Sequence, residues 1–367
     1  MPELIGIGSS DGLAWADRAR RSWGGWLEAA GLGPVEMPWR EVHCAEGMRL
    51  RVYGELRPGP VLLLVPAPIK RAYIWDLAPG RSVVRHALAE DFNVGLIEWT
   101  EPEGENVRSL GLGDYAERLI GTAVDALSGM CGSREVLLVG HSLGGTLATL
   151  FATLRSEQVR GLVLIEAPLR FGLGGGALGA LAAAAPYGPE VVRATFDMVP
   201  GSLTSALGIT ADPVEFLPAR WLDALASAAD LEAFATHLRV LRWTLDELAM
   251  PGQLFEEVAG QLLRDDAFSR GALEIVGRPA APGLLGMPVL AVLDPLSRLV
   301  PPRSVLPVLE DIGGPTTVLR YREEEPGAAL PHVGALVGRA AHRRLWPQIL
   351  RWMREVWEAG GRWPPPS

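Results

Sequence analysis

A chain of 367 residues with 48% hydrophobic content can bury a large core, either as one α/β domain with an insertion or as two domains. Its formal net charge of −9 argues against nucleic acid as the main partner, which would favour a basic face. Two cysteines, Cys44 and Cys131, leave no disulfide framework and no cysteine-rich metal site.

The first residues, Met1-Pro2-Glu3-Leu4-Ile5-Gly6, lack a basic start followed by an apolar stretch. The most apolar tract, 177–186, is too short and too rich in Ala and Gly to span a bilayer. The expectation is a soluble, cytoplasmic chain with no transmembrane segment.

In chain order, Trp15, Trp23, Trp26 and Trp39 come first, at partly helical spacing, and read as packing anchors. Short apolar runs then predict strands at 48–53, 61–65, 93–98, 135–139, 162–166, 288–293 and 316–321. Between and after them, 81–90, 115–127, 145–155 and 345–358 carry helix-like periodicity. This alternation predicts a largely parallel sheet covered by helices, built from both ends of the chain. The middle breaks the rhythm with helical stretches and loops, opened by Gly172-Leu173-Gly174-Gly175-Gly176 and closed by Pro279-Ala280-Ala281-Pro282-Gly283. The division expected is a core of 1–168 and 287–367, with 169–286 inserted as a cap over the active-site end of the sheet. The tail Trp363-Pro364-Pro365-Pro366-Ser367 reads as frayed.

The strongest chemical signal is Gly140-His141-Ser142-Leu143-Gly144, a G-x-S-x-G pattern between the run Val136-Leu137-Leu138-Val139 and a helix-like segment. A serine at the tip of a tight strand-to-helix turn needs small neighbours, because the backbone crowds there. The amide of Leu143 can then face an oxyanion, and the helix N-terminus adds positive potential. Ser142 is therefore the expected nucleophile.

A serine needs a base, and six histidines offer one. His43, His86 and His342 lie in surface or helix-like segments, and His237 lies in the inserted region. His141 adjoins the serine and would point into the sheet or towards the pocket floor, a poor geometry for the base. His332, in Pro331-His332-Val333-Gly334 between the last strand and the C-terminal helix, fits the chain order Ser, Asp, His. The acid expected to orient it is Asp294, directly after the strand Val289-Leu290-Ala291-Val292-Leu293; Asp311 fits less well. A second oxyanion donor belongs to the loop Pro66-Ala67-Pro68-Ile69-Lys70. Its prolines carry no N–H, so Ala67 or Ile69 must serve, and Ile69 is favoured. This chemistry requires no cofactor and no metal.

These residues carry a resemblance. The block from Val65 to Val84, with Tyr73-Ile74-Trp75-Asp76-Leu77-Ala78-Pro79-Gly80-Arg81-Ser82 at its heart, resembles the polyhydroxyalkanoate synthase family. So do Ile97-Glu98-Trp99-Thr100-Glu101-Pro102, Trp243-Thr244-Leu245-Asp246 with Pro251-Gly252, Arg270-Gly271-Ala272-Leu273, and Pro331-His332-Val333-Gly334 with Leu345-Trp346-Pro347. The resemblance runs over roughly 51–352. It implies an α/β-hydrolase fold, a mostly parallel sheet flanked by helices, with a largely helical cap. It further implies acyl transfer from a hydroxyacyl thioester, with hydroxyacyl-CoA or a hydroxyalkanoate ester as substrate, His141 and Trp243 at the pocket, and a homodimer as the candidate assembly.

Two departures stand out. Synthases carry cysteine where this chain has Ser142, and an oxygen ester is the habit of esterases and depolymerases. The family's Asp stands three residues before the Val of a Val-Pro pair, and that position here is Ser297. Cys131 precedes its strand and lacks the elbow context. The chain therefore reads as a serine acyl-transfer enzyme with a Ser142-His332-Asp294 triad. The alternatives are an esterase or polyester-oligomer hydrolase with the same residues, and a non-catalytic relative that binds polyester or a partner.

Overall fold

The apolar runs read as strands all enter one sheet. The computed structural model describes residues 10–104 and 109–360, and its sheet holds eight strands. They are β1 (Trp39–Ala45), β2 (Met48–Tyr53), β3 (Val61–Val65), β4 (Asn93–Trp99), β5 (Val136–His141), β6 (Val159–Ile165), β7 (Val289–Leu293) and β8 (Thr316–Arg320). Their order is β1-β2-β4-β3-β5-β6-β7-β8, with β1 and β2 antiparallel to their neighbours and the rest parallel. The proline-rich tail lies outside the described residues.

Fully apolar strands are what a sheet covered on both faces requires. β3 shows why: Val61, Leu63 and Val65 pack into one core layer, while Leu62 and Leu64 pack into the other. The first layer holds α3 (Ile120–Met130) and α4 (Leu143–Leu154), through residues such as Leu127, Leu147 and Phe151. The second holds α2 (Val83–Ala89) and the C-terminal α13 (Trp346–Glu358), through Val84, Trp346 and Met353.

β1 has no counterpart among the sequence-predicted strands. Its sequence, Trp-Arg-Glu-Val-His-Cys-Ala, has no apolar run and lies half-exposed at the sheet edge, where charged residues discourage further pairing. The tryptophans also differ from expectation. Trp15, Trp23 and Trp26 on α1 (Ser10–Leu27) are 66–74% exposed, and Trp39 lies on the edge strand beneath the Arg51 guanidinium, 4.2 Å from its ring centre.

Between β6 and β7 the chain runs through α5 (Ala177–Ala184), α6 (Glu190–Thr195), α7 (Gly201–Ala211), α8 (Arg220–Ser227), α9 (Leu231–Leu245) and α10 (Gly252–Glu257). Two short antiparallel pairs, Met198–Val199 with Met250–Pro251 and Leu273–Ile275 with Arg278–Ala280, are its only strands among the described residues. After β7, α11 (Leu306–Glu310) leads to β8, and α12 (Gly334–Val337) precedes α13. No helix among the described residues is long and apolar enough to cross a membrane.

Candidate active site

β5 runs straight into α4 through Ser142, whose φ of 54° and ψ of −134° place it in a region that residues with a β-carbon rarely occupy. The turn is held by its backbone: the Ser142 N–H donates to the Ile165 carbonyl (3.0 Å), and Gly145 N–H donates to the Ser142 carbonyl (2.9 Å). Its glycines are required by space. A β-carbon on Gly144 would lie 2.3 Å from the Val65 carbonyl oxygen, and one on Gly140 would lie 2.4 Å from the Gly145 Cα. Leu143 opens α4, so its amide has no intrahelical acceptor.

His332 sits in a single turn, Pro331–Val333, just before α12. Its backbone is clamped on both sides. His141 Nε2–H donates to its carbonyl (2.9 Å), and its own N–H donates to Glu215 Oε1 (3.1 Å). The two imidazole rings lie 4.6 Å apart. Burial, with the neighbouring His332, holds the His141 pKa down at about 3, so His141 is neutral at physiological pH. Burial raises that of Glu215, opposed by His332. Both ring nitrogens of His332 are buried without a hydrogen-bond partner among the described residues.

Asp294 follows β7 as the sequence indicates, but its carboxylate is engaged away from the imidazole. Asp294 Oδ1 accepts from the Leu296 N–H (2.8 Å) and lies 3.5 Å from the Arg322 guanidinium. The carboxylate within 4 Å of the His332 ring nitrogens, among the described residues, belongs to Glu166: Oε2 is 3.7 Å from Nδ1. Glu166 directly follows β6 and is 3% exposed, with φ at 46°. Its N–H donates to the Val292 carbonyl (3.0 Å), and its Oε1 accepts the Asp294 N–H. Asp294 thus reaches the site through its backbone. Ser297, at the position where the resembled family keeps its acid, uses Oγ to accept the Val300 N–H (3.1 Å).

Ser142, Leu143, His141 and His332 open onto one cavity of about 550 Å³, together with Ala67, Ile69 and Trp243. Leu178, Leu181, Leu203, Leu207, Phe255 and Val258, all from the segment between β6 and β7, wall much of the rest. Also in the lining, Trp243 Nε1–H donates to the Arg71 carbonyl (2.9 Å) and the Lys70 ammonium stands 4.8 Å over its ring. Lys70 pairs with Glu247, which also binds Arg20 of α1 (2.6 Å). Burial lowers the Lys70 pKa, and Glu247 opposes that shift.

Sequence reasoning passed over Glu166, Glu215 and the Lys70–Glu247 pair. For Glu166 a signal existed: a carboxylate directly after a parallel strand, at the strand-end face where open α/β sheets place their sites.

No family model matches the chain. By sequence it is similar to the poly(3-hydroxyalkanoate) polymerase subunit PhaC of Haloferax mediterranei, 29% identical over 299 residues covering 82% of this chain and 59% of that relative. Its counterpart in Haloarcula marismortui is 30% identical over 312 residues, 85% of this chain and 64% of the relative. That of Allochromatium vinosum is 26% identical over 302 residues, 82% of each. The chain spans about three fifths of the length of the first two of these relatives. By shape it matches the naproxen esterase (carboxylesterase NP) of Bacillus subtilis with a TM-score of 0.52 at 16% identity, over 96% of this chain and 99% of that one, a likeness of fold. Strand order, elbow and likeness of shape agree on an α/β-hydrolase fold, and by sequence the chain is similar over most of its length to poly(3-hydroxyalkanoate) polymerase subunits.

Proposed function

We propose that the protein is an acyl-transfer enzyme that forms a covalent ester on Ser142. The observation that carries this reading is the strained Ser142 and the buried His332 opening together onto one largely apolar cavity. In the first step His332 Nε2 takes the Ser142 Oγ proton as the oxygen attacks the acyl carbonyl. The amides of Leu143 and Ile69 stabilise the oxyanion, the bond to the leaving thiol or alcohol breaks, and His332 returns the proton to that group. An alcohol or water then takes the acyl group by the same route in reverse. The neutral His141 and Trp243 line the pocket, and 169–286 acts as a cap whose leucines receive the acyl chain.

The relatives' name, poly(3-hydroxyalkanoate) polymerase, favours hydroxyacyl groups as what is transferred and a hydroxyl group as acceptor, and the synthase resemblance favours a thioester as donor. Hydrolysis is the second reading, favoured by Ser142 itself, because an oxygen ester is a poorer acyl donor than a thioester. Incubation with 3-hydroxybutyryl-CoA tests both. Free CoA with polymer is the expected result; free CoA with only free acid establishes the hydrolase. No CoA release, with cleavage of a simple ester, overturns the thioester assignment.

A further inference from the structure

His332 Nδ1 and Glu166 Oε2 are both buried, both lack a hydrogen-bond partner among the described residues, and face each other at 3.7 Å. Two orphaned buried polar atoms within an ångström of bonding distance form a costly arrangement unless the pair closes in use. Catalytic hydrogen bonds are often long before substrate binds and tighten afterwards. Three features hold Glu166 in this place. Its backbone is fixed to β7 by the Val292 carbonyl, its φ of 46° turns the side chain out of the β6 line, and the Asp294 N–H pins its other carboxylate oxygen.

The remaining acidic groups around His332 are otherwise occupied. Glu215 accepts the backbone N–H and not the ring, and Asp212 lies 3.5 Å from Arg298. Asp294 is committed to Leu296 and Arg322.

We infer that Glu166, at the end of β6, is the positioning acid of this site, in the role the sequence suggests for Asp294. The inference rests on the reading of Ser142 as nucleophile and His332 as base. When His332 Nε2 takes the Ser142 proton, Glu166 Oε2 accepts the Nδ1–H, fixes the tautomer and stabilises the imidazolium; no proton passes to Glu166. The acid has moved one strand along the sheet, from the loop after β7 to the end of β6, and Ser297 stands where the other arrangement would need a carboxylate.

The test is inactivation by a fluorophosphonate probe, resolved into kinact and KI. Glu166→Gln keeps the shape and an oxygen for the Asp294 N–H but removes the charge. Its kinact is expected to fall by ~10²–10⁴-fold while KI stays within about threefold, the pattern of a misoriented base. Asp294→Asn is expected to keep kinact within about tenfold, because its carboxylate does not serve the ring. If Glu166→Gln does not fold, Glu166→Asp and Glu166→Asn form a pair of equal size. A kinact ratio above tenfold between them supports the role, and a ratio near one overturns it. Wild-type protein that does not react at all overturns the nucleophile–base reading together with this inference. Wild-type and Glu166→Gln proteins that react at equal rates overturn this inference alone.

Discussion

Ser142 holds its φ of 54° only because its surroundings leave it no other place. Such backbone strain costs about 1–3 kcal/mol and persists where neighbours over-determine it. Gly144 is the tightest of those neighbours, with no room for a β-carbon against the Val65 and Pro66 backbone. Gly144→Ala is therefore expected to destabilise the fold by about 3 kcal/mol or more, since backbone cannot yield as a side chain does. Urea unfolding checks it; a loss under 1 kcal/mol would contradict the close-approach account. The placement of Ser142 and His332 on one cavity was legible in the sequence because each sits in a local pattern, one in the elbow and one in the loop before the last helix. Glu166 carries only the generic signal of a carboxylate after a parallel strand, because the role proposed for it depends on how β6 pairs with β7. That pairing sets the Glu166 side chain beside the ring and turns the Asp294 carboxylate to Leu296.

At the scale of elements, seven strands announced themselves as apolar runs, whereas edge strand β1 carries polar residues and no such run. The exposed tryptophans of α1 follow the same logic in reverse, since periodicity alone does not say whether a helix face finds a partner. α1 is instead tied down by charge. Arg20 donates to Glu247 and to the Thr244 carbonyl (2.6 Å each), joining it to the end of α9 and, through Glu247, to Lys70 beside the elbow. Glu247→Gln leaves two cations facing each other, and removing one partner of such a buried set costs about 3–5 kcal/mol. The expected outcome is a stability loss of that order in urea. An unchanged midpoint would mean that α1, α9 and the Lys70 loop are held by packing alone.

Over the whole molecule, buried neutral histidines make stability pH-dependent. Burial holds the His342 pKa at about 3, assisted by stacked His86, and its Nε2–H donates to the Leu336 carbonyl (2.8 Å). A histidine whose folded pKa lies below its unfolded value of 6.5 contributes fully above that value and loses its contribution as pH falls towards 3. At pH 5 the unfolded chain's extra proton costs about 2 kcal/mol for each such group. Wild-type protein is thus expected to lose about 2 kcal/mol more than His342→Gln between pH 7 and pH 5; equal losses would contradict a neutral buried His342.

The same architecture brings the C-terminal ends of β5 and β6, the loop after β3 and the inserted helices to one cavity, an arrangement that suits the proposed acyl transfer. In the proposed mechanism Ser142 is a nucleophile activated by His332. Fluorophosphonate labelling followed by peptide mass spectrometry tests it most directly. One covalent adduct is expected, on Ser142, lost in Ser142→Ala and in His332→Ala. Folded wild-type protein that takes up no probe, or labels equally in His332→Ala, would contradict it.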